Sequence, residues 1–282
     1  MLIQDLMRTT NYTCAELREC LNIKTSTYYY KKQNSRLVKY EEIKSQIIEI
    51  FQKSKGKYGY PRVLIALQQL GYIINHKTVY KLMKELDLIG FRCRKTKKYN
   101  SYKGEVGKTA PNIINRNFKA EHPYEKMFTD VTEFKIGEQK VYLSPMIDGY
   151  NSEVIAYQIS THGDLKLVQE MMDKVYKIVP KTKYTKYIHS DQGFQYQHIS
   201  FVNGLKEHNI VQSMSRKGNC NDNGIAEAFF GRLKTEFFYQ EDFENVTDFV
   251  NRLEEYIYYY NNERIKTALR MSSVEYRLLN AA

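Results

Sequence analysis

Cysteine is scarce in this chain of 282 residues: Cys14, Cys20, Cys93 and Cys220 are its only four. They form no C-x-x-C pair and have no histidine pair at zinc-finger spacing, which excludes the common structural zinc modules and leaves them as reduced, structural residues. Long apolar runs are also missing. No stretch of about 18 such residues exists to span a bilayer, and the opening MLIQDLMRTT is too polar for a secretory signal. A cytoplasmic protein is expected. Acidic residues fall short, at 32 against 43 lysines and arginines, for a formal net charge of +11. Such a positive field suits nucleic acids or anionic membrane surfaces, though a lysine-rich surface that serves only solubility gives the same total. Repeats and low-complexity tracts are absent. With 42% apolar and 27% charged residues, the chain can bury a core large enough for one to three domains.

The first third reads as helical. TCAELRECLNIKTSTYYY (13–30) holds a short helix and the start of a second, so residues 1–35 form an N-terminal helical segment. In VKYEEIKSQIIEIFQKS, Ile43, Ile47, Ile48 and either Ile50 or Phe51 fall on one helical face. Pro61 opens a second helix that Gly71 stops, and Asn75 caps a third, whose apolar Val79, Leu82, Met83 and Leu86 leave Lys77, Lys81 and Lys84 outside. Residues 36–91 thus suggest a helix-turn-helix-type DNA-binding module, with a plain bundle bearing solvated lysines as the alternative. A basic linker at 92–119 follows. Arg92, Arg94, Lys95, Lys97, Lys98, Lys103 and Lys108 face the single Glu105 there, a run better suited to phosphates than to a core.

From residue 120 to 282 the periodicity changes. EKMFTDVTEFKI, KVYLSPMIDGY and SEVIAYQIS read as an antiparallel meander with turns at Gly137 and at Gly149 to Asn151. A helix closed by Pro180 follows, then the strand KYIHSDQG, a helix, the short strand IVQSMS and two longer helices. This order predicts an α/β fold with a mixed five-stranded sheet flanked by helices.

Three carboxylates stand out within it. Asp130 interrupts a β-prone segment, where aspartate is disfavoured unless it is paired, solvated or bound to a metal. Alternation puts it on one face with Phe128, Thr132 and Phe134. Asp191, in HSDQG, ends a strand, where a turn residue and a catalytic residue look alike. Asp148, beside Gly149, reads as a turn residue, and His189 as structural support. Glu227 lies in the first turns of a helix, where the dipole alone would favour it. Gly231 and Lys234 follow on nearly the same face, and a glycine inside a helix is costly. Glu236 competes with Glu227 but is rotated away from it. Two strand-borne aspartates and one helix-borne glutamate are the hard oxygen donors that a two-metal phosphoryl-transfer site needs, with the ions about 3.5–4 Å apart.

These motifs resemble the DDE transposases of bacterial insertion sequences, in particular the second-frame (OrfB) subunit of the IS-three family. The resemblance covers nearly the whole chain. It is carried by YGYPRVLIALQQLGYIINHKTVYKLMKELDLIG, PNIINRNFKAEHPYEKMFTDVTEF, HSDQGFQY, SRKGNCNDNGIAEAFFGRLKTE and YYNNERIKTALRMSSVEYR, and by the 35 residues that separate Asp191 from Glu227. It implies a ribonuclease H-like integrase core, with Asp130, Asp191 and Glu227 holding two Mg²⁺ or Mn²⁺ ions. It implies a DNA contact for Lys234, beside those expected of Lys77, Lys81, Lys84, Arg94, Lys95, Lys97 and Lys98. The implied reaction frees a 3′-hydroxyl at an element end and joins it to another phosphodiester.

The implied partners are terminal inverted repeats, target DNA, a first-frame helix-turn-helix protein or a frameshifted fusion with it, and further copies of the chain on DNA in the nucleoid. Two departures are visible. Met127 stands where the family usually has tryptophan, a residue this chain lacks altogether, and Ser273 replaces a customary proline. Both should alter packing rather than chemistry. The His/Cys zinc module of retroviral integrases is missing. Two other readings remain at this level: a DNA-binding regulator without chemistry, and a ribonuclease H-like nuclease.

Overall fold

The computed structural model describes residues 6, 12–25, 35–90 and 109–280. It divides into two compact units, residues 1–89 and 90–282. In the first unit, α1 (Cys14–Cys20) begins at a reciprocal cap in which Thr13 and Glu16 satisfy each other's amide groups. Helices α2 (Ser35–Lys53), α3 (Tyr60–Gln69) and α4 (His76–Glu85) then pack around Ile43, Ile47, Val63, Leu67, Val79 and Leu82. The expected punctuation appears in place. Pro61 sits in the first turn of α3, Gly71 adopts φ +88°, and the Asn75 side chain accepts the Lys77 amide at 2.9 Å. Lys77, Lys81 and Lys84 are exposed along α4.

The second unit is built on one mixed sheet. Strands β1 (Lys126–Thr129), β2 (Thr132–Ile136), β3 (Gln139–Asp148) and β4 (Val154–Ser160) are antiparallel neighbours through β3, while β5 (Lys186–Ser190) and β6 (Ile210–Met214) run parallel to β1. The sheet has six strands rather than five because the first is split. Thr129 lies opposite Met146 and Thr132 opposite Leu143, so β1 and β2 keep one register against β3 and skip only Asp130 and Val131. The reason is local. Pro145 stands opposite Asp130 in that register and has no amide to give to the strand ladder, while the Asp130 carboxylate accepts the Val131 amide at 2.8 Å.

Helices cover both faces, as in a three-layer α/β fold. One face packs Phe134, Leu143 and Ile147 against Phe229, Leu233, Phe249 and Tyr256 of α8 (Gly224–Leu233) and α9 (Val246–Asn262). The other packs Met127, Met146 and Ile188 against α5 (Leu165–Ile178) and α7 (Ile199–Glu207), which follows the short α6 (Phe194–Gln197). Met127 is fully buried in this second core beside Met146, Met171, Met172 and Met214. Flexible thioethers thus fill the volume at the position where a tryptophan would be customary.

Residues 109–119 are bound to this unit. The Met214 amide donates to the Pro111 carbonyl at 3.3 Å, and Ile113 and Ile114 donate their amides to Ser213 Oγ at 2.9 and 3.2 Å. At the other end of the chain, α10 (Ser273–Asn280) docks on the turn after β3 through Arg277–Glu153 at 2.8 Å and Ser273 Oγ to the Asn151 carbonyl at 3.0 Å. Proline at 273 would lack that hydroxyl. Asp148 is a turn residue, and a buried one: it accepts the Tyr124 and Tyr150 amides at 2.9 and 3.0 Å, and burial pushes its carboxyl up to about 7.

Candidate active site

Parallel strands end together, and their carboxyl ends are where open α/β sheets present functional side chains. Phe128 pairs with His189, so two further steps in register set Asp130 opposite Asp191. The two carboxylates repel each other. Asp130 is pushed up to about 8, first by burial and then by the neighbouring Asp191, with Glu227 adding to the shift and Lys234 opposing it. Asp191 is raised as well, chiefly by burial, although its outer edge reaches solvent. Asp130 is thus half-buried and Asp191 exposed.

Each aspartate spends one oxygen on its own loop. Asp130 Oδ1 takes the Val131 amide, and Asp191 Oδ1 takes the Gly193 amide at 2.9 Å. The Oδ2 atoms have no hydrogen-bond partner among the described residues. Gly193 has φ −58°, which any residue adopts, so its role is not to sharpen a turn by unusual conformation. What it provides is space. A Cβ there would lie 2.9 Å from Gln195 Oε1 and 3.0 Å from Asp191 Oδ1.

Helix α8 brings Glu227 to the same end, in its first turn and exposed. Asn223, just before the helix, donates Nδ2 to the Thr129 carbonyl at 3.0 Å and so pins α8 to the residue preceding Asp130. Lys234 closes the group. Its ammonium lies 5.7 Å from the Phe134 ring centre, and desolvation lowers its pKa while Asp130 holds it up. Gly231, between Glu227 and Lys234, is exposed, and a Cβ added to it would meet nothing within 4 Å. After Leu233 the helix widens into a π-helical turn, Lys234–Phe238. Glu236 turns inward there and pairs with Arg264 at 2.7 Å in the core, which settles its role as structural.

The three carboxylates repel one another, and among the described residues no three carboxylate, histidine or cysteine groups converge enough to hold an ion alone. Magnesium keeps several waters and is commonly held by one or two carboxylates together with substrate phosphates. Free Oδ2 atoms on two mutually repelling aspartates are the hard donors such an ion requires.

Residues behind the site were less legible in the sequence. His189 is buried between Ser213 Oγ at 2.9 Å and Ser215 Oγ at 3.1 Å, and burial lowers its pKa to about 4, so it stays neutral and structural. Tyr196 is buried with its hydroxyl 3.4 Å from Thr129 Oγ1, and its pKa is raised by burial and by both aspartates. Only the aromatic pair after Asp-Gln-Gly hinted at it. Of the expected basic contacts, Lys234 joins the site, while Lys77, Lys81 and Lys84 belong to the first unit. Arg94, Lys95, Lys97 and Lys98 lie outside the described residues.

Comparison with known proteins places the chain in a family. An integrase core domain model matches residues 120–220 and a second one residues 227–280, and a helix-turn-helix-like domain model matches residues 39–98. The protein named as the InsK transposase of insertion sequence element IS150 from Escherichia coli K12 is 46% identical over 268 residues, 94% of both chains. The chain belongs to the insertion-sequence transposases of the IS-three family. The transposase is also 30% identical over 246 residues to that of element IS904 from Lactococcus lactis, covering 86% of this chain and 96% of that one. Among solved structures it overlaps a simian T-cell lymphotropic virus intasome in complex with PP2A regulatory subunit B56 gamma at 15% identity and TM-score 0.49, over 76% of this chain and 73% of that one. Its second unit is a ribonuclease H-like integrase core. As a transposase it is a DNA-binding polynucleotidyl transferase, and no observation favours the silent regulator or the ribonuclease H-like nuclease. None of its described helices is long and apolar enough to cross a membrane.

Proposed function

We propose that Asp130, Asp191 and Glu227 are the metal-holding catalytic residues of this transposase, acting through a two-metal mechanism on the ends of its insertion sequence. The observation that carries the reading is that Asp130 and Asp191 follow the ends of the adjacent parallel strands β1 and β5, each with a free Oδ2, close enough to each other and to Glu227 for their charges to interact. Two Mg²⁺ or Mn²⁺ ions bound there would supply Lewis-acid stabilisation to the attacking and leaving oxygens of an in-line displacement. Asp130, Asp191 and Glu227 are the residues that would hold these ions. Asn223 keeps α8 in reach of Asp130. Lys234 takes a non-bridging phosphate oxygen, and the bare backbone at Gly231 lets the DNA approach the helix closely. Water first, then a DNA 3′-hydroxyl, is the nucleophile.

The DNA partners are terminal inverted repeats and target DNA, engaged by Lys77, Lys81 and Lys84 of the helical module and by the basic linker. A first-frame helix-turn-helix protein, or a frameshifted fusion with it, supplies end selectivity, and copies of the chain assemble on DNA. The test is cleavage and joining of oligonucleotides bearing the element's ends in Mg²⁺. Asp191→Asn is expected to abolish both while leaving DNA binding intact; joining at the parental rate would overturn the assignment. Tight, selective binding of the repeats by this chain alone would contradict the need for a first-frame partner.

A further inference from the structure

Two arginines beside the acidic site have donors that the fold does not use. Asp222 lies just beneath the surface and is itself fully buried, covered by the guanidinium groups that bind it. Its two oxygens receive five donors: Asn112 Nδ2 at 3.0 Å, Arg116 Nε at 2.8 Å, and the Nε, Nη2 and backbone amide of Arg216 at 2.8, 2.8 and 3.2 Å. Arg116 gives Nη2 to Asn219 at 3.0 Å. In both arginines Nη1 has no partner among the described residues. Their side chains remain 47% and 53% exposed, so the unused donors reach solvent.

A clasp that served only to hold this loop would be complete with Arg216, which already binds both carboxylate oxygens. Arg116 adds a second, uncompensated charge. Two cations thus share one carboxylate. The location matters equally. The Ser215 amide bonds to the Ser190 carbonyl at 2.9 Å, so Arg216 leaves β6 one strand over from Asp191 and at the same sheet end. We propose that Arg116 and Arg216, fixed by Asp222, form a seat for a DNA backbone phosphate on the β6 side of the acidic trio. The seat rests on the reading of that trio as the strand-transfer site. Guanidinium groups held rigid in advance lose little freedom on binding a phosphate, and their planar forks suit its oxygens.

The test is binding of the full chain to duplex DNA without divalent metal, so that no chemistry occurs and the result does not depend on which residues hold metal. Arg116→Gln leaves Asp222 with its two-point bond to Arg216 and should melt like the parent. It is expected to reduce the slope of log affinity against log salt by about 1, the loss of one phosphate contact. Arg216→Gln combined with Asp222→Asn removes one cation and the buried anion together, and should lower the slope similarly. A methylphosphonate scan of the parent should find one neutralised phosphate near the joining position that weakens binding, a penalty that vanishes in Arg116→Gln. Unchanged slopes in Arg116→Gln, or no phosphate coupled to it, would overturn the seat and leave the clasp purely structural. If the double variant fails to fold, Arg116→Gln carries the test alone.

Discussion

A missing methyl group holds the Asp191 carboxylate where it is. Gly193→Ala would place a carbon 3.0 Å from Asp191 Oδ1, so the carboxylate must shift while the surrounding fold stays packed. Misplacement on that scale at a reacting centre costs on the order of 10–100-fold in rate. We expect joining to fall by that much with an almost unchanged melting temperature, and a variant joining at the parental rate would show that Asp191 tolerates displacement. Asp130 gives a second expectation. Its carboxyl is raised from an ordinary 3.8 to about 8, so between those values the folded chain holds a proton that the unfolded chain has released. Metal-free stability should therefore fall as pH rises across that window. Divalent metal competes with the same proton, so metal affinity should rise over the same range. Thermal melts with Mg²⁺ and with a chelator at pH 5 and pH 8 check the sign: the stabilisation by metal must be larger at pH 8. At this scale Asp130 stood out in the sequence because aspartate is disfavoured in a β-prone segment, whereas Asp191 and Glu227 each fitted an ordinary local role and were singled out by their spacing and the family resemblance. Asn223, Asp222 and Tyr196 were not, because their roles depend on partners about 67 to 110 residues away.

Elements position these side chains through small departures from regularity. The alternation around Asp130 predicted one continuous strand; the structure keeps its register and breaks its ladder where Pro145, opposite Asp130, has no amide to donate. Helix α8 shows a second departure. Gly231 weakens it, since glycine costs about 0.5–1 kcal/mol relative to alanine in a helix interior. An added Cβ meets nothing, so Gly231→Ala should stabilise the metal-free protein by about that amount. The same methyl group should obstruct the DNA backbone, lowering joining and DNA affinity together. A variant that gained stability with no loss of joining would remove DNA approach as the reason for this glycine. The π-helical turn that follows was invisible in the sequence, where GRLKTEFFY reads as plain helix. Its origin is tertiary: Glu236 must turn inward to reach Arg264.

On the scale of the whole molecule, the excess of positive charge resolves into separate places. Lys77, Lys81 and Lys84 line one helix of the first unit, while Lys234, Arg116 and Arg216 belong to the catalytic unit. Replacing the three α4 lysines with alanine should lower the salt slope of DNA binding by up to about 3 without changing the Mg²⁺ dependence of the unfolding temperature. If binding is unaffected, the module's basic face serves solubility. Most of the order of helices and strands was readable because periodicity changes sharply near residue 120, but the short α6 and the closing α10 were not read. The attachment of residues 109–119 to the core was not, since hydrogen bonds accepted by Ser213 and Pro111 leave no trace in composition.

The ion pair between Glu236 and Arg264 also bears on the timing of synthesis. Helix α8, with Glu227, is translated before the residue that anchors its far end, and Arg264 comes 28 positions after Glu236. On the proposed reading of Glu227 as the third metal-holding residue and of the helical module as a DNA contact, a growing chain presents both aspartates and the module while Glu227 is still on an unanchored helix. Translation order then separates the arrival of DNA affinity from the arrival of cutting competence.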